Sequence, residues 1–174
     1  MSGSIEKLKQ LRGYLLADKY PSGAYLLVYP PEEELAFRTG YQEIIQEIQA
    51  RNIPHCIIDL RTFVFDVLES RNLLEKAFTM DAGGSQDIHR SLAHIVQNEL
   101  LKKIQTAATE YPDAILFCQS TAALFPWVSY AELLGAVENK LDQFLVIPFP
   151  GKENGPVLHF LGVKDGYNYR AGRI

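Results

Sequence analysis

The chain has few cysteines and no excess of basic residues. Its two cysteines, Cys56 and Cys118, fall in apolar runs typical of internal strands, where a free thiol behaves as a small buried hydrophobe. This pattern favours a reducing cytoplasm over a disulfide-stabilised secreted fold. The 17 basic residues are scattered and outnumbered by 21 acidic ones, for a formal charge of −4. The composition therefore predicts no face suited to nucleic acid or to an anionic membrane.

Targeting and membrane segments are also missing from the sequence. The first 16 residues, MSGSIEKLKQLRGYLL, are charged, follow the pattern of an amphipathic helix and lack the apolar core of a signal peptide. No later run approaches the roughly 18 apolar residues of a membrane span. We expect a cytoplasmic protein. Because the chain has 174 residues, 47% of them hydrophobic, we expect residues 1–174 to form a single domain.

Short apolar runs alternate with helical periodicity along the chain. This alternation predicts an α/β fold of three layers, with a mainly parallel sheet of about five strands and helices on both faces. Pro126 is predicted to begin a helix. The last two strands should form an antiparallel hairpin at the edge of the sheet, turning at Pro150-Gly151 and Gly155. Gly151 should there adopt a backbone conformation unfavourable for residues with a β-carbon. The predicted core positions in the strands are Leu26, Val28, Ile57, Ile58, Ile115, Phe117, Leu145 and Ile147.

The usual phosphate and metal patterns are absent. The only Gly-Lys pair, Gly151-Lys152, has no helix-starting Ser or Thr after it, and Pro30-Pro31 removes the amide donors that an anion would need after the first strand. The histidines and cysteines lack metal-ligand spacing, and a Cys-His protease arrangement has no local pattern to support it. We therefore predict no catalytic, cofactor-binding or metal-binding residues, and no cofactor.

Two groups of residues remain as candidate sites. Asp59, Ser120 and Thr121 follow predicted strands, at the edge where open α/β sheets bind ligands. These residue types also favour turns and helix caps, and capping is the preferred interpretation. The second group is Tyr167, Tyr169 and Arg170, near the end of the chain. Tyrosine and arginine are enriched at interface hot spots, but the tyrosines could equally hold the terminus onto its own domain.

Four segments resemble the BrxB family of the bacteriophage-exclusion (BREX) defence systems. They are the helix and strand at 41–59, the strand and Phe-Pro pair at 115–126, the Phe-Pro-Gly sequence at 149–151 and, most specifically, residues 161–171 with their Tyr-Asn-Tyr-Arg-Ala ending. Two departures stand out: the turn after the third strand lacks a glycine, and the region 60–86 is compact.

The resemblance implies a non-enzymatic adaptor or scaffold in an anti-phage system. It would work beside the PglZ phosphatase-like protein, the PglX methyltransferase and the BrxC ATPase, with a PglZ-like protein as the expected partner and Tyr167, Tyr169 and Arg170 in the docking surface. The alternatives are a small-ligand or nucleotide-binding regulatory domain with a degenerate P-loop-like fold, or an enzyme whose site lies near Asp59 and Ser120. DNA binding would need a basic face, which the composition does not provide.

Overall fold

The computed structural model describes residues 3–17, 20–81, 86–154, 156–161 and 171–174. Two short 3-10 helices, Pro31–Glu33 and Thr121–Leu124, accompany the main elements. The helices are α1 (Gly3–Leu16), α2 (Glu34–Ala50), α3 (Phe63–Ser70), α4 (Leu74–Asp81), α5 (Gln86–Glu110) and α6 (Tyr130–Val137). The strands are β1 (Gly23–Tyr29), β2 (His55–Asp59), β3 (Ile115–Gln119), β4 (Phe144–Asn154), β5 (Val157–Phe160) and β6 (Gly172–Arg173).

Five of the described strands form a parallel sheet in the order β2-β3-β4-β1-β6, and β5 pairs antiparallel with β4. The α/β class and the mainly parallel sheet are therefore confirmed. The hairpin is present, but its position needs correction: it extends from β4, a central strand, and the edge strands of the described sheet are β2 and β6. β6, which follows the hairpin in the chain, pairs with β1 on the side opposite β4.

Helices cover both faces of the sheet, as the sequence predicts. Because side chains alternate along a strand, Leu26 and Val28 of β1 pack with α3, α5 and α6, whereas Leu27 and Tyr29 pack with α1 and α2. Two buried clusters result, one on each face. This double coverage explains why the strands are continuously apolar. None of the described helices combines the length and the apolar character needed to cross a membrane.

Ile57 is the one predicted core position in the strands that is not buried. Its side chain is 42% exposed, whereas each of the other seven is 5% exposed or less. The cluster beneath α1 and α2 takes its strand residues from β1, β3 and β4 and none from β2. Ile58 faces the opposite cluster and is buried there. The prediction for Ile57 was wrong because an apolar run does not show that its strand lies at the edge of the sheet.

β4 is longer than the sequence predicts and passes straight through Pro148 and Pro150. Its pairing with β3 ends at Val146, so no β3 residue needs the missing amide donors of the prolines. The predicted turn at Gly151 is wrong: Gly151 lies within the strand, opposite Phe160, and has no positive φ. A β-carbon at Gly151 would instead collide with the carbonyl oxygen of His159 and lie 2.5 Å from the Phe149 ring. Glycine is required here because His159 and Phe149 leave no space for a β-carbon, and not because of the backbone conformation.

Pro126 does not begin α6, contrary to the prediction. It lies in the turn after the second 3-10 helix, and α6 begins at Tyr130. Ser129 precedes the helix with extended backbone, and its hydroxyl accepts a hydrogen bond from the Glu132 amide at 3.4 Å. A side-chain acceptor at this position stabilises the first turn, so the helix begins after the serine and not at the proline.

Candidate functional site: a polar pocket at the carboxyl edge of the sheet

The carboxyl ends of β1, β3 and β4 meet at a small pocket of about 80 Å³. Polar ligands in open α/β folds bind at this edge of the sheet. A single water needs roughly 10 to 15 Å³ on this scale, so the pocket accommodates a small group and is far below the roughly 300 Å³ of pockets that enclose larger ligands. It is lined by Tyr29, Glu34, Phe37, Arg38, Tyr41, Gln42, Arg61, Gln119, Ser120, Thr121 and Pro148.

An aromatic stack forms one wall of the pocket. The Tyr29 and Phe37 rings are parallel with centroids 3.7 Å apart, and Tyr41 continues the stack 5.4 Å beyond Phe37. Tyr29 donates its hydroxyl hydrogen to Glu34, and Tyr41 donates to the Cys118 carbonyl at 3.0 Å. Burial raises the pKa of Tyr41, and burial together with the Glu34 hydrogen bond raises the pKa of Tyr29. Both phenols therefore stay protonated and act as rigid walls.

Ser120 and Thr121 both line the pocket, but their roles differ. Thr121 is 2% exposed and donates its hydroxyl hydrogen to the Pro148 carbonyl at 2.7 Å, so it holds β4 in place. Ser120 has left-handed backbone with φ 58° and ψ 36°, and its side chain makes no capping hydrogen bond to the helix that follows. The capping interpretation therefore does not hold for Ser120, which lines the pocket.

Asp59 does not line the pocket. Its carboxylate accepts a hydrogen bond from the Arg61 amide at 3.0 Å and lies 3.6 Å from the Arg61 guanidinium. This is the turn role expected of an aspartate after a strand. Asp59 and Ser120 therefore do not share this pocket, which is lined instead by Arg61, two residues after Asp59.

Sequence reasoning missed the two cationic residues of the pocket, Arg38 and Arg61. Arg38 lies one helical turn after Glu34 on α2, and Arg61 follows β2 by two residues. Among the residues described, Arg38 has no carboxylate within salt-bridge distance. The side-chain amide of Gln119 donates to Gln42 at 3.4 Å across the same opening. Guanidinium, amide and hydroxyl donors around a small cavity suit a compact anionic group.

Neither thiol has the properties of a nucleophile. Cys118 is buried, which raises its pKa to about 12. Burial also raises the pKa of Cys56, with a smaller contribution from Glu110. A thiol must ionise to attack a substrate or to bind a metal, so both are poorly suited to these roles at neutral pH. Within the described ranges, no group of three or more His, Cys, Asp or Glu side chains is placed to hold a metal ion.

Tyr167, Tyr169 and Arg170 lie outside the described residues, and their predicted docking role stays a prediction. The residues that follow are described. Arg173 pairs with Leu26 of β1 and donates to the Pro156 carbonyl at 2.6 Å, and the Ile174 amide donates to the Leu26 carbonyl at 3.1 Å. Ile174 is buried against α1 and α2. The end of the chain is therefore an integral part of the sheet.

These features define an α/β protein with a doubly covered parallel sheet and a small polar pocket at its carboxyl edge. The model of one family, described as BREX protein BrxB, matches residues 56–174, which is more than half of the chain, and the chain belongs to the BrxB family. No curated protein and no solved structure matches it. Membership makes it a component of a BREX defence system and implies that its partners are other BREX components.

Proposed function

We propose that the chain acts in the cytoplasm as a non-enzymatic adaptor of a BREX system, and that it binds a PglZ-like protein. The observation that carries this proposal is the family match, which extends through the Tyr-Asn-Tyr-Arg segment to Ile174. Tyrosine and arginine are enriched among interface hot spots, because an aromatic ring buries a large area with few rotatable bonds and a guanidinium group offers several hydrogen-bond donors in a fixed plane. Tyr167, Tyr169 and Arg170 provide both types in four residues.

The fold supports a docking role for this segment. The segment lies between β5 and β6 in the chain, and both strands pair with central strands of the sheet. β6 is fixed to β1 by the Ile174 amide and by the buried Ile174 side chain. A binding segment with both ends held by a rigid sheet loses less entropy on docking than a free terminus.

The non-enzymatic part of the proposal rests on the chemistry of the candidate groups. The two tyrosines of the pocket and Cys118 all have raised pKa values, so none supplies a base or a nucleophile at neutral pH. Thr121 uses its hydroxyl within the fold. The prolines after β1 remove amide donors where a phosphate loop would need them.

Affinity purification from a host that carries the whole defence operon tests the adaptor role. A tagged parent chain should retain the PglZ-like protein, and the triple variant Tyr167→Ala/Tyr169→Ala/Arg170→Ala should abolish retention while the chain stays folded. Retention of every other BREX component without the PglZ-like protein would contradict the choice of partner. A purified chain that turns over substrate on its own would contradict the non-enzymatic role.

A second candidate function is recognition of a small anion, because Arg38, Arg61 and the Ser120 hydroxyl line one pocket. The volume of about 80 Å³ suits a phosphate or carboxylate group better than a whole nucleotide. Inorganic phosphate should raise the melting temperature of the parent, and Arg38→Ala should remove this effect. Arg90→Ala, which changes an exposed arginine of α5 away from the pocket, is the matched control. An equal response in all three proteins would exclude the pocket as an anion site.

A further inference from the structure

The outer edge of β2 carries an exposed apolar side chain on an unpaired strand. β2 pairs with β3 on one side only, and within the described residues no strand lies on its other side. Ile57, at the centre of the strand, is 42% exposed. Natural edge strands are usually protected by charge, proline or a bulge, and β2 has no proline within His55–Asp59.

The hydrogen-bond register shows which backbone groups point outward. The Ile115 amide donates to the Pro54 carbonyl, and the Leu60 amide donates to the Gln119 carbonyl. Because backbone groups alternate in direction along a strand, the even-numbered residues of β2 bond to β3. The amides and carbonyls of His55, Ile57 and Asp59 therefore point away from the sheet.

We propose that this edge pairs with the same edge of a second copy of the chain, antiparallel and centred on Ile57. The segment His-Cys-Ile-Ile-Asp is self-complementary in that register. Ile57 lies opposite Ile57 of the second copy, and His55 lies opposite Asp59, once on each side of the two-fold axis. The three residues with outward backbone groups are then the hydrogen-bonded pairs of an antiparallel ladder.

Side chains support this register on both faces of the extended sheet. His55, Ile57 and Asp59 share one face, so two exposed isoleucines meet between two His–Asp pairs that can form hydrogen bonds. The imidazole of His55 contacts the Ile53 carbonyl through Nδ1 at 2.8 Å, and Nε2 has no partner among the described residues. A shift by one residue would place His55 opposite Ile58 and lose both His–Asp pairs, so one register is favoured.

The opposite face has room for the second copy. A groove of about 640 Å³ runs beside β2, lined by Cys56, Ile58, Phe63 and Val67 together with residues of α5. In the proposed register the half-buried Cys56 of the second copy lies beside this groove. The pairing thus covers apolar groups on both faces and joins two sheets into one, beyond the adaptor role proposed above.

Sedimentation velocity over a range of concentrations tests this pairing. The parent should form dimers, and Ile57→Lys should weaken dimerisation by at least about tenfold, because two like charges would lie directly opposite each other. Leu35→Lys, which changes a more exposed apolar residue on α2, is the matched control and should leave dimerisation unchanged. A parent chain that stays monomeric would overturn the proposal, and the outer edge of β2 would then be open to pairing with a different protein.

Two further variants test the register itself. Asp59→Lys should weaken the dimer, and His55→Glu added to Asp59→Lys should restore it, because an acidic and a basic side chain then lie opposite each other at these two positions. If the double variant dimerises no better than Asp59→Lys alone, the proposed register is wrong.

Cross-linking gives a second readout of the same register. Ile57→Cys in a Cys56→Ser background should form an intermolecular disulfide on mild oxidation, since Cα atoms of a hydrogen-bonded pair lie about 5.5 Å apart. Leu35→Cys in the same background is the control, and equal cross-linking of the two would contradict the pairing.

Discussion

The hydroxyl of Thr121 donates a hydrogen bond to the backbone carbonyl of Pro148, at 2.7 Å. Pro148 lies in a central strand, just beyond the point where β4 stops pairing with β3. The threonine side chain therefore satisfies a carbonyl that would otherwise be buried beside the end of β3. One side-chain contact thus holds a proline-containing part of β4 next to the segment after β3, and both residues line the pocket.

Thr121→Val should lower the free energy of unfolding by about 1 to 3 kcal/mol. Valine keeps the shape of threonine but leaves the Pro148 carbonyl buried without a donor. Urea denaturation measures the change. Thr39→Val is the control, because the Thr39 hydroxyl bonds to Leu35 at an exposed site on α2 and its loss should have little effect. Equal effects of the two substitutions would contradict the role given to Thr121.

Gly151→Ala should destabilise the protein by about 1 to 3 kcal/mol, because the new β-carbon would overlap the His159 carbonyl and the Phe149 ring. Gly135→Ala is the matched control. Gly135 lies on an exposed position of α6 with open space around it, so alanine there should stabilise the helix by roughly 0.5 to 1 kcal/mol. Both changes are read from thermal or urea unfolding. A neutral Gly151→Ala variant would show that the β4–β5 pairing can separate without cost.

Stability should fall in alkaline solution. Tyr29 and Tyr41 have pKa values above 10.0 in the fold, so the stability they contribute is fully present below pH 10 and is lost as the pH rises beyond it. Each group adds a slope of about 1.4 kcal/mol per pH unit, because the unfolded phenol ionises while the folded one does not. Urea denaturation between pH 10 and 11 measures this slope. Tyr41→Phe should reduce it, and an unchanged slope would mean that the buried phenol ionises in place.

The sequence predicted the layers and the strands well because apolar runs and helical periodicity depend on local chemistry. It could not predict strand order, which decides that Ile57 is at an edge and that the hairpin extends from the centre of the sheet. Pro150-Gly151 indicated a turn because that pair favours turns in isolation. β4 continues through this pair instead, because its pairing with β3 has already ended at Val146.

The candidate site was predicted in part for a related reason. Ser120 and Thr121 were found because they follow a strand, and all parallel strands end at the same edge. Arg38 was missed because it lies one turn inside α2, and only the packing of that helix over the sheet brings it to the pocket. Asp59 follows a strand too, but β2 is two strands away from β4, and Asp59 instead forms a turn with Arg61.

Calorimetric titration with the PglZ-like protein of the same defence operon tests the adaptor role most directly. The parent chain should bind, and Tyr169→Ala and Arg170→Ala should each weaken binding by about 2 kcal/mol, or roughly 30-fold, with unchanged melting temperatures. Tyr111→Ala and Arg90→Ala are the controls and should bind as the parent does. Absence of binding by the folded parent chain, or equal affinity in all five proteins, would contradict the proposal.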